Sequence, residues 1–167
     1  AVRLPFAGDA SMVFVLPDEG TSPAELARTV GQDLFAAEGW EPRSVMLSIP
    51  KFEFESDVDL GRVLKELGMN TAFDPAIAEL NPITDGPNDL YVSDALHKSF
   101  IAVDESGAEA AAATAMIVGA TSAGPEPATF VADRPFLFWI EHTPTGDPLF
   151  LGQLTDPSAS DATRPRG

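Results

Sequence analysis

Residues 105–115 read ESGAEAAAATA, and the interpretation of the whole chain depends on this stretch. By propensity alone it is a helix, because Ser106 is a good N-cap, Glu109 follows three residues later and alanine is the strongest helix former. Alanine is also small and costs little in an extended strand. We therefore expect a helix or an irregular arm when the stretch is free, and a strand when it pairs with a sheet.

As a strand, this stretch and the residues after it have two different faces. The even positions are uncharged, namely Ala108, Ala110, Ala112, Thr114, Met116 and Val118. Glu109 falls on the odd face, which is free to point to solvent because successive side chains alternate. The smallest residues come first, where an opening sheet has the least room. The pattern favours insertion between two other strands.

Strand-forming runs surround this stretch, while short helices occur only before it. The predicted strands are residues 2–6, 12–16, 45–49, 52–54, 90–103, 129–131, 135–141 and 149–154, with 90–103 as a central strand. Turn dipeptides at Gly8 and Gly146 predict two hairpins. The order of strands and helices predicts an α+β fold with mixed and antiparallel sheets.

Two helices have sequence signals at their ends. Ser22 and Glu25 form a capping box, which predicts a helix from Ser22 to near Gly39. Asp57 is predicted to cap a short second helix that Gly68 closes. A further helical turn is expected after Asp74.

The composition limits the classes of partner. The chain has 167 residues, 44% of them hydrophobic, which is enough for one domain with a core. Its formal net charge of −16 argues against nucleic acid and anionic membrane surfaces as partners. Neither a span of about 20 apolar residues nor a cysteine is present in the sequence.

The stretch at 105–115 and its flanks resemble the serpins, a family of serine protease inhibitors. Glu105, Gly107, Glu109 and the four alanines 110–113 match the hinge of the family's reactive loop. The supporting segments are ALHKSFIAVDE at 95–105, DRPFLFWI at 133–140, SMVFVLPDEG at 11–20 and IPKFEFESDVDL at 49–60. The resemblance covers nearly the whole chain and continues to Pro157 through RPFLFWIEHTPTGDPLFLGQLTDP.

The resemblance implies a serpin fold, of which residues 1–167 are the C-terminal part of a single domain. It places the reactive loop at 104–134 and leaves 158–167 as a disordered tail. The implied mechanism is suicide inhibition: a protease cleaves the loop, is trapped as an acyl-enzyme and is carried away as the loop inserts into a sheet. The implied hinge residues are Glu105, Gly107, Ala108, Glu109, Ala110, Ala111, Ala112, Ala113 and Thr114.

The position of the cleaved bond also follows from the resemblance. In the family the hinge glycine lies fourteen residues before the residue that enters the protease's primary pocket, so Gly107 points to the Thr121–Ser122 bond. Ala120 and Ser122 are the neighbouring choices for the pocket residue. Gly124 is disfavoured, since Pro125 follows it. A small residue in the pocket implies an elastase-like or subtilisin-like protease as the partner.

Two further residues have a role implied by the resemblance, each with an ordinary alternative. Lys51 matches the lysine that pairs with the hinge glutamate, here Glu105, and is otherwise a solvent-facing lysine. His97 matches the histidine of the family's shutter, and is otherwise a partly satisfied strand histidine.

The sequence contains no recognisable catalytic motif for the imidazoles of His97 and His142, so we expect no enzyme. The acidic pair Asp57 and Asp59 has the wrong spacing for a calcium loop, and we expect neither metal nor cofactor.

Two other functions remain open. One is a non-inhibitory serpin relative that acts as a carrier or chaperone, although the small, uncharged Ala108 favours insertion. The other is a truncated product that associates through open strand edges, because the chain starts inside a strand-like run without Met and resembles only part of a serpin. An extracellular location is expected only by analogy with the family.

Overall fold

The computed structural model describes residues 1–31, 35, 39–80, 83, 90–104 and 126–158. The predicted hinge, the Thr121–Ser122 bond and most of the C-terminal tail lie outside these residues. Within them, the strands are β1 (Val2–Pro5), β2 (Ala10–Val15), β3 (Val45–Ser48), β4 (Phe52–Asp59), β5 (Leu96–Val103), β6 (Ala128–Val131), β7 (Phe136–His142) and β8 (Asp147–Leu154). The helices are α1 (Pro23–Val30), α2 (Leu60–Glu66) and a 3₁₀ turn, Thr71–Phe73.

The largest sheet is antiparallel and has the order β1-β2-β7-β8. Its outer pairs are the two predicted hairpins, which are confirmed. Gly8 and Gly146 lie in the two turns with φ of 103° and 74°, a region that glycine enters without steric cost.

Both faces of this sheet are covered by apolar side chains. On one face, Val13, Leu137 and Trp139 are buried. They pack against the last residue of β2, Val15, and against residues that follow this strand, namely Leu26, Ala27, Val30, Phe35 and Trp40. On the other face, the ring of Phe52 lies 5.1 Å from Phe138 and 6.1 Å from Phe136, measured between centroids. Burial on both faces explains why FLFWI reads as a continuous apolar run.

Helix α1 begins as predicted, because the Ser22 hydroxyl accepts a hydrogen bond from the Glu25 amide at 3.1 Å. It ends at Val30, so the predicted continuous helix to Gly39 is wrong. Gly31 has φ 59° and its amide donates to the carbonyl of Ala27, which closes the helix.

The chain divides into two compact units, Glu53–Ala102 and the remainder. In the smaller unit β4 runs through to Asp59, and Asp59 rather than Asp57 caps α2 by accepting from the Arg62 amide at 3.0 Å. The predicted cap at Asp57 is therefore wrong, because that residue lies two residues before the end of the strand, whereas Asp59 directly precedes the helix. Gly68 closes the helix with φ 98°, as predicted.

The predicted strand 90–103 is shorter in the structure, since β5 begins at Leu96. Before it, the Val92 amide donates to Ala72 and the Ala95 carbonyl accepts from Gly61, so these groups bond to other elements of the unit. Among the described residues β5 pairs with β4 alone, and is not a central strand there.

Candidate functional site

In the sequence, β5 precedes and β6 follows residues 105–125, which contain the predicted hinge and the predicted cleaved bond. β5 ends at Val103 and β6 begins at Ala128. The candidate site is therefore described through the two strands and the neighbours that hold them.

The pair β4 and β5 has an acidic face with one lysine. The exposed side chains of β4 are Glu53, Glu55, Asp57 and Asp59. From β5, Lys98 Nζ lies 2.8 Å from Asp57 Oδ2. This hydrogen bond and the charge of Asp57, with a smaller contribution from Glu55, raise the pKa of Lys98, and slight desolvation opposes them.

The other edge of β5 has no strand beside it within the described residues. Leu96 and Phe100 are 68% and 55% exposed on this strand, although a strand in the middle of a sheet buries such side chains. His97 is also exposed on β5, and its shutter role stays a prediction.

Lys51 lies at an exposed position directly before β4. Its predicted partner Glu105 is outside the described residues, so the hinge ion pair stays a prediction. The same holds for all the hinge residues after Glu105 and for the bond between Thr121 and Ser122.

Strand β6 lies within the predicted loop range 104–134, so the end of that range is a strand, which pairs in parallel with β3. One hydrogen bond extends the pairing at each end. The Ala128 amide donates to the Ser44 carbonyl at 3.0 Å, and the Ala132 amide donates to the Ser48 carbonyl at 2.8 Å. No side chain of either strand is buried. Because the strands are parallel, the residues that leave the 105–125 segment lie beside the start of β3.

The far end of β6 is held by a bond that the sequence did not predict. The guanidinium of Arg134 donates to the Pro17 carbonyl from Nε at 3.1 Å and from Nη2 at 3.0 Å. A single carbonyl thus fixes the chain between β6 and β7.

A buried charge in the large sheet was also missed. Glu141 is 1% exposed, accepts from the indole N–H of Trp139 at 3.0 Å and forms an ion pair with Arg3. The Arg3 guanidinium lies over the ring of Trp40, 4.9 Å from its centroid. The signal in the sequence is a lone carboxylate that follows FLFWI in the alternation of a core strand.

Metal-ligating side chains do not cluster in the part of the chain that the structure describes. No group of three or more His, Asp and Glu side chains converges there on a position for a metal ion. His142 Nδ1 bonds to the Thr145 hydroxyl at 2.9 Å within the β7–β8 turn. In the same ranges no helix is long and apolar enough to cross a membrane.

Comparison with known proteins agrees with the geometry. The family model described as serpin (serine protease inhibitor) matches residues 1–157. Antithrombin-III of Homo sapiens is 35% identical over 162 residues, and the match covers 93% of this chain and 34% of that protein. Plasminogen activator inhibitor 1 of Bos taurus is 37% identical over 161 residues, with 93% and 39% covered.

Among solved structures, the native state of a thermophilic serpin, Tengpin, superposes with a TM-score of 0.72 at 34% identity. That match covers 89% of this chain and 39% of Tengpin. The chain thus spans between 34% and 39% of the length of these three relatives. It has part of a serpin fold, with mixed sheets and few helices, and it belongs to the serpin family.

Proposed function

We propose that this chain is the C-terminal part of a serine protease inhibitor and contains the reactive loop, and that it is not an enzyme. The observation that carries the proposal is the position of ESGAEAAAATA, which follows β5 directly, while β6 begins after the segment. One relative, plasminogen activator inhibitor 1, is an inhibitor by name.

The edge of β5 that has no neighbouring strand within the described residues supports a mechanism by insertion. A loop that turns back after Val103 and lies along this edge would add a strand to the β4–β5 pair. The added strand would run along the eight residues of β5, Leu96–Val103, and residues 108–121 are long enough to cover them. About a dozen new backbone hydrogen bonds at roughly 1 kcal/mol each would release on the order of 10 kcal/mol, enough to distort a protease.

The residues of the proposed site keep the roles that the family resemblance implies. Thr121 enters the primary pocket of an elastase-like or subtilisin-like protease, and the bond to Ser122 is cleaved. Lys51 pairs with Glu105 at the hinge, and His97 acts in the shutter.

The test is incubation with an elastase-like and a subtilisin-like protease, followed by a denaturing gel and mass spectrometry. The chain should be assayed alone and, if the encoding reading frame is longer, within that longer form as well. We expect an adduct that resists denaturation, with cleavage after Thr121. Cleavage without an adduct in both forms would contradict inhibition and point to a non-inhibitory relative.

Two variants test insertion with the same chemical change on opposite faces. Ala110→Arg places a charge on the uncharged face of the inserted strand, whereas Ala111→Arg places it on the face of Glu109. Because burying an unpaired charge is costly, we expect Ala110→Arg to shift the product from adduct to cleaved chain by about tenfold or more. Ala111→Arg should shift it little, and equal effects would contradict the assignment of faces.

A second candidate function is association through open strand edges. It is favoured by β8, the last strand of the large sheet, where Leu149, Phe150 and Leu151 are 56%, 47% and 56% exposed. Leu96 and Phe100 of β5 are likewise exposed apolar side chains on a strand. Apolar, unpaired edges attract other strands.

A further inference from the structure

Strands β3 and β6 form a pair that buries little side-chain surface within the described residues. Neither strand has a buried side chain, and Met46, Leu47 and Val131 are exposed. Val45, Ala128 and Phe130 are only half-buried, and a two-stranded sheet with so little burial is marginal in water. The pair must therefore be held by contacts at its ends.

One end is fixed by the large sheet. The strands end at Ser48 and Val131, followed closely by the buried residues Phe52 and Ala132. Arg134 adds its two bonds to the Pro17 carbonyl on this side. This end of the pair has both apolar burial and hydrogen bonds.

The other end of the pair, where the chain enters β3, follows the packed side chain of Trp40. Trp40 precedes β3, and residues 41–44 between them are exposed. The Trp40 ring packs against the buried cluster of the large sheet and carries the Arg3 guanidinium on its face. A cation held over an indole is attracted by the ring, more strongly when water is excluded.

Arg3 is itself held by the buried carboxylate of Glu141. The register places Arg3 opposite Val13 and Val13 opposite Trp139, so one row of side chains crosses β1, β2 and β7. Glu141 lies two residues beyond Trp139, and accepts from its indole. An uncompensated charge at a site only 1% exposed would be costly, so Arg3 and Glu141 hold each other in position.

We propose that Glu141, Arg3 and Trp40 form an electrostatic clasp that fixes the chain entering β3 and thereby secures the first residues of β6. Because β3 and β6 are parallel, the clasp acts on the end where the chain leaves residues 105–125. Its role is conformational and does not depend on protease inhibition.

The test is hydrogen exchange of the whole chain at neutral pH, read by mass spectrometry. Glu141→Gln keeps an acceptor for the Trp139 indole and removes the charge that holds Arg3. We expect amides of β3 and β6 to exchange about tenfold faster, while those of β2 keep their protection, since a clasp controls local opening. Trp40→Leu, which leaves both charged residues in place, should loosen the same two strands.

Asp57→Asn is the matched control, because it also neutralises a carboxylate of an ion pair, but an exposed one. It should leave exchange in β3 and β6 unchanged. Unchanged exchange in Glu141→Gln or in Trp40→Leu would overturn the proposal. A uniform rise that includes β2 would overturn it as well, since the pair would then support the sheet as a whole.

Discussion

Gly152 leaves room for an aromatic ring in the large sheet. It lies opposite Phe138 in the β7–β8 register, and the Phe138 side chain is 1% exposed. A methyl group at residue 152 would lie 2.8 and 2.9 Å from Cε2 and Cε1 of that ring. The Phe138 ring can therefore pack over β8 only because residue 152 is a glycine and has no side chain.

We predict that Gly152→Ala destabilises the chain by about 1–3 kcal/mol, because the core has no space for the added atom. Equilibrium denaturation by urea would measure the loss. In a Phe138→Leu background the same change should cost much less, since the ring that it meets is gone. Equal costs in the two backgrounds would show that the contact with Phe138 is not the cause.

Contacts between single residues were the part of the structure that the sequence predicted least. The alternation of β7 places Glu141 on the same face as Trp139, but which cation neutralises it depends on the pairing of β1, β2 and β7. Arg3 is distant in sequence, and no local pattern connects the two. The bond from Arg134 to Pro17 could not be predicted for the same reason.

At the scale of elements, Lys98 and Asp57 connect β5 to β4 through an exposed ion pair. The hydrogen bond to Asp57 raises the pKa of Lys98, so the folded state holds this proton more tightly than the unfolded one. The contribution of the pair to stability is present below the usual lysine pKa and is lost as the pH rises through the folded-state pKa.

We therefore predict that Asp57→Asn lowers the pKa of Lys98 in the folded chain toward its ordinary value. Side-chain NMR of labelled lysine, recorded from pH 9 to 12, would show the change. Glu55→Gln should lower it less, because the charge of Glu55 is the smallest of the causes that raise it. A larger effect of Glu55→Gln would mean that Lys98 pairs mainly with that residue in solution.

Local signals were enough for the hairpins and the start of α1, because turn glycines and a capping serine act within a few residues. Predictions from local signals were wrong where two signals compete for the same helix end. Asp57 and Asp59 are both good caps, and only the pairing of β4 with β5 decides that the strand continues past Asp57. The early end of α1 depended on Gly31, which a helical pattern alone does not exclude.

At the scale of the whole molecule, family membership came from motifs spread along the chain, and the family model confirms it. The hinge and the cleaved bond stay predictions, because the described residues end at 104 and resume at 126. The strands on both sides were predicted from composition. How β6 pairs was not, since its partner β3 is far away in sequence.

The net charge and the apolar strand edges are expected to affect self-association in opposite directions. Twenty-six acidic residues against ten basic ones oppose the approach of a second copy, whereas the edges of β5 and β8 that are unpaired within the described residues would favour it. Salt screens the repulsion, with a Debye length of about 10 Å at 0.1 M and about 3 Å at 1 M. We predict that the chain associates more strongly at high salt, as measured by sedimentation velocity over a range of concentrations.

Three substitutions of leucine by lysine assign the surface that associates. Leu151→Lys charges the edge strand β8, Leu96→Lys charges β5, and Leu67→Lys changes a residue that is 79% exposed at the end of α2. Because a lysine on an unpaired edge opposes pairing, we expect the two strand variants to reduce association at high salt and Leu67→Lys to leave it unchanged. An equal reduction in all three would mean that added charge alone is responsible. Association that is unaffected by either strand variant would exclude both edges as the contact.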